Sequence, residues 1–520
     1  MFKSPLADVE IPDTPLTSHV FRDVSLHPDR VAVVDGLTGA SYTYGRLHDS
    51  VRAVAGGLVA EGLAKGDVFA ILAPNLPEYA IAFHGVAHAG GIVTTINPTY
   101  TVGEIGAQLR DSAARMLLTI PSLVESAVAA GEASGVEEVF VFGEAEGARS
   151  FSELAAAGLL VAGVPIDPAE DVVVVPYSSG TTGLPKGVRL THRNLVANLV
   201  QYESISSVSE NDVILAVLPF FHIYGMQVLM NGVLSCGATT VTMPRFDLTE
   251  FLRIIEQHAV TRVAAVPPIV LALAKSPLVD KYDLSSLQQI GSGAAPLSGD
   301  VEREASGRTG ATVVQGFGLT ETSPVTHAMP AGETRSGSIG VPVPNTEVRV
   351  VDPESGESRG VGEDGEIWIR GPQVMKGYLN NPAATAATID EDGWLRTGDI
   401  GRVDEDGYWY VTDRLKELIK YKGFQVAPAE LEAVLLTHSA IADAAVIPIP
   451  DEEAGEVPKA FVVLQPERTA TVQEIIDYVG RKVAAYKRIR EVEVIDTIPK
   501  SPSGKILRRE LRDRELAASQ

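Results

Sequence analysis

Glycine, hydroxyl and lysine side chains are what a polyphosphate needs around it, and one segment gathers all three. Tyr177-Ser-Ser-Gly-Thr-Thr-Gly-Leu-Pro-Lys-Gly187 sets three glycines and four Ser/Thr hydroxyls around Lys186. Glycines let backbone N–H groups turn toward an anion, hydroxyls donate further bonds, and lysine supplies a full charge. The segment is not a Walker loop: Pro185 precedes the lysine and Gly187 follows it. A second cluster, Gln315-Gly-Phe-Gly-Leu-Thr-Glu321, places an aromatic ring between two glycines and then a hydroxyl and a carboxylate. Such a turn can lay the Phe317 face against a nucleobase while Thr320 and Glu321 reach a phosphate and its Mg²⁺. Two basic stretches complete the set. Asp413-Arg-Leu-Lys-Glu-Leu-Ile-Lys-Tyr-Lys-Gly-Phe-Gln425 carries four cations, and Pro499-Lys-Ser-Pro-Ser-Gly-Lys505 ends a Pro/Ser/Gly loop on one. That loop composition suits a cation that is carried in and out.

Taken together, these segments make the chain resemble the adenylate-forming superfamily, which contains acyl-CoA synthetases, peptide-synthetase adenylation domains and luciferases. The likeness covers nearly the whole chain and implies two-step chemistry with ATP, Mg²⁺ and CoA. A carboxylate attacks the α-phosphorus of ATP, pyrophosphate leaves, and a thiol then displaces AMP. The resemblance implies Ser178, Ser179, Gly180, Thr181, Thr182 and Lys186 as phosphate ligands, with Gln315, Gly316 and Phe317 (usually Tyr) at the adenine. It gives Thr320 to the α-phosphate and Glu321 to the metal. Ser292-Gly-Ala-Ala-Pro296 flanks adenine and acyl group, with Ala294 at both. Asp399 of Thr397-Gly-Asp takes the ribose, as does Arg414. Lys416 marks the hinge, Lys420 lies at the nucleotide, Lys422 and Gly423 face CoA, and Gln425 supports the active site. Lys505 is the lysine that reaches α-phosphate and carboxylate. Its departure in the second step implies a swivelling C-terminal domain.

Within that superfamily the chain is most similar to 4-coumarate:CoA ligases. Gly365-Glu-Ile-Trp-Ile-Arg-Gly371 matches one of their signatures, with Trp368 where they usually carry Cys. Phe220-Phe-His-Ile-Tyr-Gly225 puts His222 and Tyr224 in the acyl pocket, with Gly318, Pro324 and Val325 as its small, apolar lining. Val228 stands where those ligases often have a small polar residue, and Arg245 matches a contact to CoA phosphate. The expected reaction is hydroxycinnamate or aryl-acid:CoA ligation. A medium- or long-chain fatty-acyl-CoA synthetase, an enzyme loading a separate carrier protein and a luciferase-type oxygenase are the alternatives.

The bulk composition fits a globular enzyme. The chain has 520 residues and a formal charge of −24, which argues against a generic nucleic-acid binder. From Ile476 to Gln520 eleven Lys+Arg meet seven Asp+Glu, so the cations concentrate where the lid is expected. The single cysteine, Cys236, excludes an internal disulfide and reads as a buried structural thiol. No HExxH spacing suggests zinc, and no apolar run is long enough to span a membrane. The N-terminus lacks a signal-peptide core and the C-terminus lacks a peroxisomal address, so the expectation is a cytoplasmic monomer or homodimer.

The elements that must position these residues alternate. Val31–Val34, Val68–Leu72 and Gly91–Thr95 read as strands, with helical spacing over Tyr44–Glu61 and Leu76–His88. Asp171–Val175, Val213–Val217 and Thr239–Thr242 repeat the pattern, and Thr191 is a helix N-cap. The fold class is α/β, with two parallel α/β subdomains divided along the sequence. From about 336, period-two runs at Thr346–Val351, Glu366–Arg370 and Tyr408–Val411 suggest a distorted β-barrel. These make a domain over 1–413. A small mobile α+β domain follows over 414–520. In it, Leu431–Leu436, Val472–Lys482 and Leu507–Leu516 are helices, and Ala444–Ile447 and Ala460–Leu464 are strands, the first stopped by Pro448.

Overall fold

The computed structural model describes residues 1–156, 164–178, 185–421, 424–451, 454–466, 468–501 and 504–518. Two sheets flank a shared helical layer. The first runs, by hydrogen-bonded neighbours, Gly377–Tyr378, Lys186–Thr191, Val172–Ser178, Ile92–Ile96, Val68–Leu72, Ala114–Thr119, Glu138–Val141 and Arg149–Ser150. It is parallel from Val172–Ser178 onward, while Lys186–Thr191 and Gly377–Tyr378 join antiparallel. The second runs Thr312–Gln315, Gln289–Ser292, Arg262–Ala265, Val213–Ala216, Thr239–Thr242, Val31–Asp35 and Ser41–Thr43.

The two α/β layers are present, but they do not divide the sequence. Val31–Asp35 crosses into the second sheet and Val172–Ser178 into the first. Strand period and composition are the same in either place. The choice of neighbour depends on which sheet edge is open when the crossover returns, a long-range property. Helices Tyr44–Ala60 and Glu78–His88 lie close to their expected bounds, and one apolar core including Leu47, Val51, Phe83, Ile214 and Val241 joins both layers. Thr191 caps the helix His192–Ile205: its hydroxyl accepts from Asn194 N–H at 3.1 Å, and Asn194 Oδ1 accepts from Thr191 N–H at 2.9 Å.

The β-layer is an antiparallel sheet ordered Phe2–Lys3, Glu347–Val351, Gly365–Arg370, Leu395–Val403 and Trp409–Arg414. A bridge between Trp409 and Gly340 carries it on to Val341–Pro342, Val325–Ala328 and Phe317–Gly318. The sheet curls, so the N-terminal edge returns toward its start, where the Ser4 hydroxyl donates to the Pro342 carbonyl at 2.7 Å. Strands from Phe2 and Phe317 thus join a layer whose sequence signal begins near 336.

After Asp413 a mixed sheet of Phe424–Val426, Ile419–Tyr421, Gly455–Leu464 and Ile441–Asp451, with Glu491–Val494 alongside, packs against helices Pro428–Leu436, Val472–Gly480 and Arg508–Ala518. It has its own core around Ile419, Leu431, Val446, Val462 and Ile475. The strand expected to stop at Pro448 instead continues through Pro448 and Pro450 to Asp451. It is an edge strand with Pro448 opposite Pro458, so the missing N–H groups remove no ladder bond. Among the described residues no helix is long and apolar enough to cross a membrane.

Candidate active site

One cavity of about 510 Å³ lies where the carboxyl ends of both parallel sheets, the curled sheet and the C-terminal unit meet. Ligands in open α/β sheets bind at such strand ends. It is bordered by Ser178, Lys186, His222, Tyr224, Ala294, Gln315, Gly316, Phe317, Gly318, Thr320, Glu321, Pro324, Val325, Arg414 and Lys505, residues scattered over 328 positions of sequence.

The phosphate segment closes a hairpin. Ser178 and Lys186 face each other across the antiparallel ladder, and Ser179, Gly180, Thr181 and Thr182 between them fall outside the described residues. Lys186 Nζ lies 4.7 Å from the centre of the Tyr378 ring, a cation–π contact that holds the ammonium at the cavity wall. Tyr378 OH donates to Glu321 Oε1 at 2.8 Å, and Ser178 Oγ donates to the same oxygen at 2.9 Å. Sequence reasoning missed Tyr378; its residue type carries no signal without these neighbours. Among the described residues no group of three or more His, Cys, Asp or Glu is placed to hold a metal. Among the described residues the hydrogen bonds to Glu321 fall on one oxygen, and such a carboxylate suits Mg²⁺, which takes its remaining oxygens from phosphate and water.

Two backbone features shape the cavity wall. Ala294 adopts φ of 69°, a left-handed conformation stored at a cost of order 1–3 kcal/mol where tertiary packing enforces it. Gly318 lies so close to Pro324 that any Cβ would overlap the Pro324 carbonyl. Phe317 packs against His327 at 5.9 Å between ring centres, and His327 in turn against Trp409 at 5.1 Å. Gln315 borders the cavity with its side chain fully engaged. Its amide donates to the Leu297 carbonyl at 3.0 Å and Glu302 at 3.1 Å, and its oxygen accepts from Leu297 N–H at 3.1 Å. It therefore braces the Ser292–Leu297 turn, and only its backbone is open to a ligand.

Asp399 is buried and takes Arg414 Nε on Oδ1 at 3.1 Å, whereas its Oδ2 is buried with no partner among the described residues. Burial raises the carboxyl pKa, opposed by Arg414 and Lys505. Asp399 does not itself border the cavity, which reaches Thr397 and Gly398 of the same turn. Glu366, also missed, holds this segment: Gly398 N–H donates to its Oε1 at 2.9 Å and Trp368 Nε1 to its Oε2 at 2.8 Å. The unusual tryptophan thus acts through Glu366 on the turn bearing Asp399.

Lys505 is delivered by the C-terminal loop. Ser501 N–H donates to the Lys505 carbonyl at 2.8 Å, and Gly504 sits against Val266, where a Cβ would come within 2.8 Å. Loss of hydration lowers the Lys505 pKa to about 8, Arg414 adding to the shift while Asp399, Glu321 and Glu417 oppose it. His222 is held neutral: burial, then Lys505, lower its pKa to about 3. The Tyr224 N–H donates to His222 Nδ1 at 3.2 Å, which leaves the ring proton on Nε2. Burial raises the Tyr224 pKa, so its hydroxyl stays protonated.

Other expected residues lie elsewhere. Lys416 is exposed, with its pKa lowered by burial of its stem, Arg414 and Lys186, so it faces the same cationic rim. Lys420 is exposed on the strand Ile419–Tyr421, its N–H donating to Glu456 at 2.8 Å, and it does not border the cavity. Gln425 pairs with it across the ladder. Lys422 and Gly423 lie outside the described residues. Arg245 is exposed and away from the cavity wall. Cys236, expected in the core, is partly buried and borders the cavity's far end; burial pushes its thiol up to about 12.

Residues 20–379 match the model of the AMP-binding enzyme family, and residues 430–505 that of the AMP-binding enzyme C-terminal domain. The chain belongs to the AMP-binding enzyme family. This AMP-binding enzyme is 46% identical to 4-coumarate--CoA ligase 5 of Oryza sativa subsp. japonica, over 98% of this chain and 97% of that one. It is 45% identical to 4-coumarate--CoA ligase 1 of Petroselinum crispum, over 99% and 96%. Among solved structures, an anthranilate CoA ligase, AuaEII, in complex with anthranoyl-AMP superposes with a TM-score of 0.91 at 28% identity, covering 98% of this chain and 99% of that one. ATP-bound MatB from Rhodopseudomonas palustris superposes with 0.88 at 29%, covering 97% and 99%.

Proposed function

We propose that this AMP-binding enzyme joins a hydroxycinnamate-type aryl acid to CoA at the expense of ATP. One observation carries the site reading: a lysine from the C-terminal unit, Lys505, borders the same cavity as Ser178, Lys186, Glu321 and the Thr397–Gly398 turn next to Asp399. The named relatives at 45–46% identity over the full length support the substrate class.

In the first step a carboxylate oxygen attacks the α-phosphorus of ATP, and the bond to the bridging oxygen breaks as pyrophosphate leaves. Both reactants are anions. Lys505 and Lys186 offset that repulsion, and their fixed position in a partly dry site needs no reorganisation. Thr320 donates toward the α-phosphate, Asp399 Oδ2 accepts from ribose, and Phe317 with Ala294 and the backbone of Gln315 and Gly316 holds adenine. Glu321 would hold Mg²⁺, which supplies charge neutralisation on the phosphates. In the second step the CoA thiol loses its proton and attacks the acyl carbonyl; the bond to AMP breaks and a thioester forms. His222 donates through Nε2 and Tyr224 lies along the acyl ring, with Gly318, Pro324 and Val325 closing the pocket. Arg245, Lys422 and Gly423 serve CoA, and Lys420 and Gln425 enter on rotation of the unit over 414–520 about Lys416. That rotation removes Lys505 from a site it has finished serving. A monomer or homodimer in the cytoplasm fits these soluble reactants.

The test is pyrophosphate release and thioester formation from 4-coumarate with ATP, Mg²⁺ and CoA. No pyrophosphate from 4-coumarate or cinnamate overturns the reading.

A further inference from the structure

We propose that Tyr378 is a positioning residue that fixes the phosphate lysine Lys186 and the metal carboxylate Glu321 relative to one another, so that ATP and its Mg²⁺ are bound in register. The inference rests on the ATP and metal assignments of the ligase reading above and deepens it at that end of the site.

The backbone around Tyr378 splints two segments that lie far apart in the sequence. Gly377–Tyr378 pairs antiparallel with Val188 and Arg189 at the edge of the first sheet. The Met375 N–H donates to the Glu321 carbonyl at 2.9 Å, the Lys376 N–H to the Arg189 carbonyl at 3.0 Å and the Leu379 N–H to the Gly187 carbonyl at 2.7 Å. The Tyr378 N–H donates to the Thr385 hydroxyl at 2.9 Å, within the helix Pro382–Thr388. Residues 375–379 thus tie the strand that starts at Lys186 to the turn that carries Glu321.

Register then places the side chain. Tyr378 lies opposite Val188, and Lys186, two residues back on the same strand, is its diagonal neighbour on the same face. The Tyr378 ring takes the Lys186 ammonium over its face at 4.7 Å, and the hydroxyl at its far end donates to Glu321 Oε1 at 2.8 Å. The two contacts reinforce each other, because donation to a carboxylate leaves the ring more electron-rich for the cation. A lysine held before ATP arrives loses less freedom on binding. At the other end, Ser178 Oγ donates to the same Oε1 at 2.9 Å, so two hydroxyls fix the rotation of the carboxylate. Mg²⁺ demands near-ideal geometry and is sensitive to that rotation. Tyr378 is buried, so water does not make good the loss of its bond to a charged group.

The experiment uses the full chain and reads binding. Calorimetry of ATP binding in saturating Mg²⁺ and in EDTA, without acid, gives the gain in ATP affinity that the metal brings. Tyr378→Phe keeps the ring over Lys186, so its ATP affinity in EDTA stays within about twofold of wild type. The gain from Mg²⁺ falls about tenfold, the value of a hydrogen bond to a charged group. Tyr378→Leu loses the ring as well, and ATP binding weakens several-fold in EDTA too. It also loses pyrophosphate release in preference to thioester formation from supplied 4-coumaroyl-adenylate, in which neither metal nor leaving phosphates take part. A Phe variant with the wild-type gain from Mg²⁺ overturns the proposal, as does a Leu variant that binds ATP in EDTA as tightly as the Phe variant. Equal loss of ATP affinity with and without metal in the Phe variant marks a packing role alone and also overturns it. The Phe arm decides by itself where the Leu variant does not fold. Failure of 4-coumarate and cinnamate to release pyrophosphate overturns the ligase reading and leaves these outcomes readable; no ATP binding by the wild-type chain overturns both.

Discussion

The protonation of Lys505 makes the adenylation step pH-dependent in a defined window. The side chain is brought into the cavity beside Arg414, and its pKa falls to about 8. A lysine with a lowered pKa loses its charge as pH rises through that value, far below the ordinary range near 10.4. About nine-tenths of the enzyme then carries the charge at pH 7 and about one-tenth at pH 9. The adenylation rate should drop roughly tenfold between those points, because the cation acts on charge that develops in the transition state. Pyrophosphate release without CoA, with ATP and acid well below their KM values so that the free enzyme's ionisation is read, isolates the step from thiol ionisation. Lys505→Arg, which cannot lose its charge in this range, should give a flat profile at a lower plateau. A wild-type rate constant from pH 7 to 9 refutes the assignment, since no other group named for this step titrates downward in that window.

Lys505→Ala should abolish pyrophosphate release while thioester formation from supplied acyl-adenylate largely survives; equal loss of both half-reactions counts against a role confined to the first step. Gly318→Ala forces Pro324 away from the acyl wall, with a cost of about 1–3 kcal/mol, read as a raised KM for 4-coumarate with the KM for ATP little changed. Trp368→Cys removes the indole bond to Glu366 and the contact with Arg396 at 4.8 Å. It should raise the KM for ATP several-fold, near the value of one hydrogen bond of about 1 kcal/mol, with kcat nearly unchanged. Asp413 is buried among Arg508 and Glu432, and burial raises its pKa to about 7. Its protonated form favours the fold, so stability from this group is full below about pH 4 and declines as pH rises to about 7. Asp413→Asn should therefore raise Tm at pH 8 more than at pH 4, by thermal unfolding; the opposite order refutes the shift.

Much of the site was legible because its chemistry depends on local residue order. The Gly/Ser/Thr order around Lys186, the Phe317–Glu321 turn and the Thr191 cap are each set within about eleven residues, whereas the strand Lys186–Thr191 that puts Ser178 opposite Lys186 was not legible. The helix bounds around Tyr44 and Glu78 follow from apolar spacing, which a few neighbouring residues suffice to set. Tyr378, Glu366 and the engaged amide of Gln315 were not legible. Each matters only through a partner 13 to 57 residues distant in sequence, Glu302 for Gln315, Gly398 for Glu366 and Glu321 for Tyr378.

What the sequence set out by itself is the chemical inventory: hydroxyls, glycines and a lysine suited to a polyphosphate, a carboxylate suited to its metal, and cations that cluster near the C-terminus. The fold decided the rest. It sent Val31–Asp35 and Val172–Ser178 to opposite sheets, carried a proline-bearing strand along an edge, and buried Asp399 with one oxygen unpaired among the described residues. It also moved Lys505 into a place dry enough to lower its pKa. Residue type and spacing act over a turn or a strand. Sheet order, desolvation and the meeting of distant charges depend on which surfaces the whole chain brings together, and only the packed molecule specifies that.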